Sequence, residues 1–149
     1  MTQRNTPVGE TAGLKHSEAR RAPSILIVDD ESNVALTLRL VFEEVGYQVT
    51  TAESCLAALK AIHVEPRYDA VITDLCMEED RSGLRVANAA AQLQPRPVVV
   101  LITGFGTLEN VRSAVGTAVD HFAVKPLDLD DLKRVVARLM AIRQDRLPR

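Results

Sequence analysis

The chain is predicted to fold as an α/β protein: a doubly wound sheet of five parallel strands with helices on both faces. Three observations carry this. From Ser24 onward, short apolar runs alternate with segments of helical periodicity. The runs ILIV, AVIT and VVVLI are continuously apolar, as strands buried on both faces are. The connections are short, and strand–helix units joined in this way build parallel sheets through right-handed crossovers.

Each element has its own signal. Strand 1 falls at about 24–28, and the next helix places Val34, Leu38, Val41 and Val45 on one face, with Gly46 as its stop. Strand 2, about 47–51, alternates and suits an edge. A second helix near 54–63 aligns Leu56, Leu59 and Ile62. Strand 3 is about 69–73, a loop covers 75–82, and an alanine-rich helix lies near 83–93. Pro95 and Pro97 lead into strand 4, about 97–102. A fourth helix near 107–117 aligns Leu108, Val111 and Val115. Strand 5, about 120–124, is interrupted by polar residues and suits the other edge. A fifth helix, about 128–143, packs through Leu132, Val135, Val136, Leu139 and Met140, and Asp128, Asp130 and Asp131 open it where its dipole favours negative charge. Strands 1, 3 and 4 belong in the centre, consistent with the order 2-1-3-4-5, the flavodoxin-like arrangement.

Bulk properties narrow the function. At 149 residues the chain is one domain's worth, with 46% apolar and 26% charged residues. The net charge of −2 gives no reason to expect direct nucleic-acid binding. No apolar run approaches the roughly 20 residues that span a bilayer, and no signal-peptide core is present, so a cytoplasmic location without membrane insertion is expected. Cys55 and Cys76 are too few for a disulfide scaffold and read as reduced thiols. Residues 1–23 lack apolar periodicity, are mildly basic, and are expected to form a flexible extension. The folded domain is expected over 24–143, with a short tail at 144–149 and no output domain.

The chemistry lies at the strand ends. Strand 1 runs into Asp29 and Asp30, strand 3 into Asp74, strand 4 into Thr103 and strand 5 into Lys125. Ligands of open parallel sheets bind outside the carboxyl ends of the strands, so these residues converge on one rim. Carboxylates held close repel unless a cation intervenes, and Mg²⁺ suits oxygen ligands that also meet phosphate. An aspartate in such a site can attack phosphorus and form an acyl phosphate. Lys125 and Thr103 are the candidates to stabilise the transferring group.

ILIVDDE at 25–31, YDAVITDL at 68–75, VVVLITG at 98–104 and HFAVKP at 121–126 resemble the receiver domain of bacterial two-component response regulators. The resemblance covers about residues 24–143 and implies the flavodoxin-like (CheY-like) fold. It implies Asp74 as phosphoacceptor, with Thr103 and Lys125 completing the catalytic set. Mg²⁺ would be bound by Asp30, Asp74 and the backbone carbonyl of Cys76, with Asp29 acting through water. Thr103 and Phe122 would form the switch, and the Lys125–Pro126 bond would be cis. Phosphorylation in Mg²⁺ by a histidine kinase or a histidine phosphotransfer protein would then alter binding of a downstream protein at the face of helix 4, strand 5 and helix 5. The protein would be monomeric or a phosphorylation-linked dimer.

The loop after Asp74 departs from the family. It carries Glu78 where proline is common, then Glu79 and Asp80, and Gly83 comes one residue late. A solvated acidic loop is the plain reading, and an effect on partner choice or metal binding the sharper one. Cys76 and Phe105 occupy the positions through which relatives tune acyl-phosphate hydrolysis, and neither orients water well, so slow self-dephosphorylation is expected. A redox role for Cys76 is disfavoured because neighbouring carboxylates oppose a thiolate. His16, His63 and His121 form no ligand pattern.

The favoured function is thus a stand-alone phosphorylation switch, not an enzyme with turnover on another substrate. One alternative is an interaction module that ignores phosphate, against which Asp74, Thr103 and Lys125 argue. Another is an aspartyl-nucleophile phosphohydrolase. That reading lacks the second acid two residues after the nucleophile, since the strand reads TDLCM.

Overall fold

Ala70–Asp74 and Val98–Thr103 are buried at every residue and Ser24–Val28 at all but its first, which explains their largely apolar sequence. The computed structural model describes residues 21–65, 67–77, 81–104, 111 and 116–147. The strands are β1 (Ser24–Val28), β2 (Gln48–Ala52), β3 (Ala70–Asp74), β4 (Val98–Thr103) and β5 (His121–Val124). Among the described residues three helices of known bounds, α1 (Ser32–Glu44), α2 (Cys55–Val64) and α3 (Ser82–Ala91), precede a C-terminal helix, Leu129–Asp145. Most of the extension expected at 1–23, the acidic loop 78–80, Phe105, and all of the helix expected near 107–117 except Val111 and 116–117 lie outside the described residues.

The strands pair in parallel in the order β2-β1-β3-β4-β5, as expected from the sequence. Alternate side chains feed two separate cores. Ile25, Ile27, Ile72, Val100 and Ile102 point to one face and meet Leu38 and Phe42 of α1 and Leu132 and Val136 of the C-terminal helix. Leu26, Val28, Val71 and Val99 point to the other and meet Ala58 and Ile62 of α2 and Val86, Ala87 and Ala90 of α3. Phe42 is fully buried, with Tyr47 edge-on at 5.5 Å between ring centroids. Burial of such a ring contributes about 1.5–3 kcal/mol.

Two expected helix faces are rotated. The buried stripe of α1 is Ala35, Leu38 and Phe42, while Val45 is 51% exposed at the helix end. That of α2 is Cys55, Ala58 and Ile62, with Leu56 64% exposed and Leu59 only partly buried. In α2 small residues let the helix lie close to the sheet, so the contact follows Ala and Cys more than Leu. Gly46 sits at φ +99°, the left-handed conformation of a helix stop. The C-terminal helix is capped by Asp128, which accepts from the Asp131 N–H at 3.0 Å, with Asp130 and Asp131 in its first turn. No helix among the described residues is long and apolar enough to cross a membrane.

Carboxylates also finish the amino ends of the strands. The Ser24 N–H donates to Asp69 Oδ2 at 2.7 Å and the Val99 N–H to Asp120 Oδ2 at 2.8 Å. Arg143 holds the other oxygen of Asp120 at 2.8 Å.

His121 on the edge strand β5 has its pKa lowered from 6.5 by burial, with Asp131 opposing and Arg138 assisting. Below 6.5 the unfolded chain therefore binds this proton more readily than the folded one, so stability rises with pH across the interval between the two values. Urea titrations at a series of pH values should show a shallower rise there for His121→Gln than for wild type.

Candidate functional site

Register brings the acidic residues together. Val28 and Thr73 are partners on the adjacent strands β1 and β3, so the residues that follow them, Asp29 and Asp74, emerge side by side. Asp74 is the last residue of β3 itself, one position earlier relative to the strand end than the sequence suggests. Asp29 is fully buried, Asp74 4% exposed and Asp30 exposed. One carboxylate oxygen from each lies within 4.8 Å of the other two. Among the described residues no other cluster of His, Cys, Asp and Glu is placed to hold a metal, and His63 and His121 take no part.

The main chain fixes these groups. The Glu31 N–H donates to Asp29 Oδ1 at 2.8 Å, and the Asp29 N–H donates to the Ala52 carbonyl at 3.1 Å. The Cys76 N–H lies 3.4 Å from Asp74 Oδ1, which sets the backbone of Cys76 beside the cluster. Lys125 reaches over from the end of β5, its Nζ donating to Asp74 Oδ2 at 3.1 Å while its own N–H bonds the Thr103 carbonyl at 2.9 Å. Thr103 is buried at the end of β4, its hydroxyl donating to the Gly104 carbonyl at 3.2 Å. The Lys125–Pro126 bond is cis, as the family resemblance implies. Phe122 is half-buried against the cluster of Leu75, Leu101 and Val111.

Gly83 carries a role that motif reading does not reveal. A Cβ there would overlap the carbonyl oxygen of Asp74, and the Gly83 N–H bonds the Leu75 carbonyl at 2.9 Å. The first turn of α3 therefore sits directly on the backbone of the central aspartate. Thr73 supports the same carbonyl through its hydroxyl at 3.0 Å. A glycine opening a helix shortly after Asp74 is the available signal, but only the structure shows the close approach.

Electrostatics make the cluster cation-seeking. Burial raises the Asp29 pKa, and the charges of Asp74 and Asp30 add to this against the Glu31 amide and Lys125. For Lys125 burial acts downward, but the hydrogen bond and charge of Asp74, with Asp29 and Glu31, override it and hold the ammonium above its usual value. Three carboxylates facing one ammonium leave two negative charges when all are ionised. Asp29 Oδ2 is buried without a hydrogen-bond partner among the described residues, which is costly unless a cation or water meets it. The oxygen donors and residual charge fit a hard divalent ion.

Comparison with known proteins agrees. The family model of the response regulator receiver domain matches residues 25–137. The chain belongs to this family. As a receiver it is 32% identical over 112 residues to the transcriptional regulatory protein GlrR of Escherichia coli K12, covering 75% of this chain and 25% of that protein. It is also 32% identical over 120 residues to the alginate biosynthesis transcriptional regulatory protein AlgB of Pseudomonas putida, covering 80% and 26%. The receiver thus spans about a quarter of the length of the curated relatives it matches. A response regulator receiver domain protein from Clostridium thermocellum superposes with a TM-score of 0.76 at 25% identity, covering 84% of this chain and 99% of that one. TrrA from Thermotoga maritima, solved in complex with Mg²⁺ and BeF, superposes with a TM-score of 0.66 at 33% identity, covering 78% and 98%.

Two substitutions test the physics of the receiver site. Asp29→Asn removes one member of a repelling set, so the Mg²⁺-free protein should gain about 0.5–2 kcal/mol. Mg²⁺ at about 100 times its Kd should stabilise the wild type by about 2.7 kcal/mol, and the variant much less. Thermal unfolding with and without the ion reads both effects. Gly83→Ala should destabilise by about 1–3 kcal/mol in urea, through overlap with the Asp74 carbonyl.

Proposed function

We propose that this receiver accepts a phosphoryl group on Asp74 and uses it to change partner binding. The observation that carries the reading is the Lys125 Nζ 3.1 Å from Asp74 Oδ2, at a rim where three carboxylate oxygens lie within 4.8 Å. In the proposed step an Asp74 oxygen bonds to phosphorus as the bond from phosphorus to the donor's leaving group breaks. Lys125 faces the charge that develops on the phosphoryl oxygens, and the Thr103 hydroxyl turns from the Gly104 carbonyl toward them. Asp29, Asp30, Asp74 and the Cys76 carbonyl would hold Mg²⁺. When bound, the ion neutralises charge on the phosphoryl oxygens.

The donor would be a histidine kinase or a histidine phosphotransfer protein, and the chain would promote only its own phosphorylation and dephosphorylation. The readout couples Thr103 to Phe122, whose ring borders Leu75 and Leu101 and can fill space that the threonine leaves. The surface of β5 and the C-terminal helix, with the helix expected near 107–117, would meet the downstream protein. This is a two-state element biased by a local change of charge.

Incubation with acetyl phosphate and Mg²⁺ should add one phosphoryl group, read by intact mass. Asp74→Asn should abolish the adduct, and chelation of the ion should do the same. The wild-type adduct should outlast seconds, since Cys76 is poorly suited to orient water. Absence of an adduct with every donor tried would favour the interaction module instead.

A further inference from the structure

The rim opposite Asp74, at the amino ends of the strands, is basic. Arg21, Arg67, Arg96 and Arg143 line a cavity of about 240 Å³ in which Asp69 is the only acidic wall residue among the described residues. A neighbouring cavity of about 540 Å³ shares Arg96 and Arg143 and adds Arg146 and Asp120. Among the described lining residues five guanidinium groups thus face two carboxylates, an excess of three positive charges in a chain whose net charge is −2.

Two of these arginines are held in place by the fold. Arg143 donates to the carbonyls of Arg96 and Pro97 at 3.3 and 3.0 Å and to Asp120 at 2.8 Å. Arg96 donates to the carbonyls of Thr117 and Ala118 at 2.8 and 3.1 Å, yet its Nε is buried with no hydrogen-bond partner among the described residues. Arg67 is exposed and makes no hydrogen bond or ion pair among the described residues, and Arg21 meets Asp69 only at 3.6 Å. Neutralising Asp69 and Asp120 therefore does not account for the whole set. Fixed guanidinium groups lose little further freedom on binding, and their planar forks match phosphate oxygens.

We propose that this basin binds a diphosphate group, either as free pyrophosphate or as the diphosphate of a nucleotide. The first cavity is smaller than the roughly 300 Å³ at which drug-sized sites begin, which suits a compact anion. Tyr68, Met140 and Leu147 give it an apolar wall, and a nucleoside would extend into the neighbouring cavity.

Isothermal titration of the full chain in EDTA tests this, because chelation keeps divalent ions from the Asp74 rim. Pyrophosphate should bind saturably with one site per chain, and equally well to Asp74→Asn. The double variant Arg67→Ala/Arg146→Ala removes two exposed arginines and should weaken binding about tenfold or more. Tighter binding of ADP than of pyrophosphate identifies a nucleotide as the source, and equal affinity identifies the diphosphate alone. No saturable pyrophosphate binding, an affinity unchanged in the double variant, or loss of binding in Asp74→Asn would each overturn the proposal.

Discussion

Crowding of like charge at the carboxyl rim is the constraint on which the rest of the site depends. The sheet imposes it: pairing of Val28 with Thr73 leaves Asp29 and Asp74 no choice but to emerge together. Burial of Asp29 worsens the repulsion, since a shielded carboxylate is screened less by water. The surrounding groups then read as responses to that charge. The Glu31 amide aims at Asp29, the Cys76 amide at Asp74, and Lys125 crosses from β5 to meet Asp74. Together they reduce the negative charge without cancelling it, and a site left in that condition attracts a cation.

The same parallel sheet that collects acids at one rim collects arginines at the other. Parallel strands expose unpaired N–H groups at their amino ends, and in this chain Asp69 and Asp120 accept from two of them. Those acids sit at the amino ends of β3 and β5, where counter-charges offset them, and Arg96 and Arg143 lie within 3.5 and 2.8 Å of Asp120. The two rims carry opposite charge for different physical reasons. One is acidic by repulsion that the fold tolerates, and the other is basic beyond what its own acids require.

Strand order and the identity of the rim residues were legible because both follow from local chemistry. Continuous apolar runs mark central strands, and the polar residue ending each run marks the rim. The helix faces were less legible. Leu56 outweighs Cys55 and Ala58 in hydrophobicity, yet the small residues face the sheet, because close packing depends on shape as well as apolar area. Val45 misled for another reason: the helix ends at Glu44, so its periodicity does not extend there. Gly83 illustrates a third limit. Its importance lies in a backbone approach between α3 and β3, a tertiary fact that no local pattern encodes.

Strand β5 is where site and surface meet. It is only four residues long and lies at the sheet edge, paired with β4 alone. Its end delivers Lys125 to Asp74, while Phe122 packs on the cluster containing Leu75, the residue that follows Asp74. The end of β3 is therefore joined to β5 at two places, by the Lys125–Asp74 ion pair at the strand's end and by Phe122 on the cluster of Leu75 nearer its middle. A short edge strand has fewer ladder bonds to hold it than the buried strands at the centre of the sheet. The ion pair and the half-buried ring thus both sit on this short edge strand.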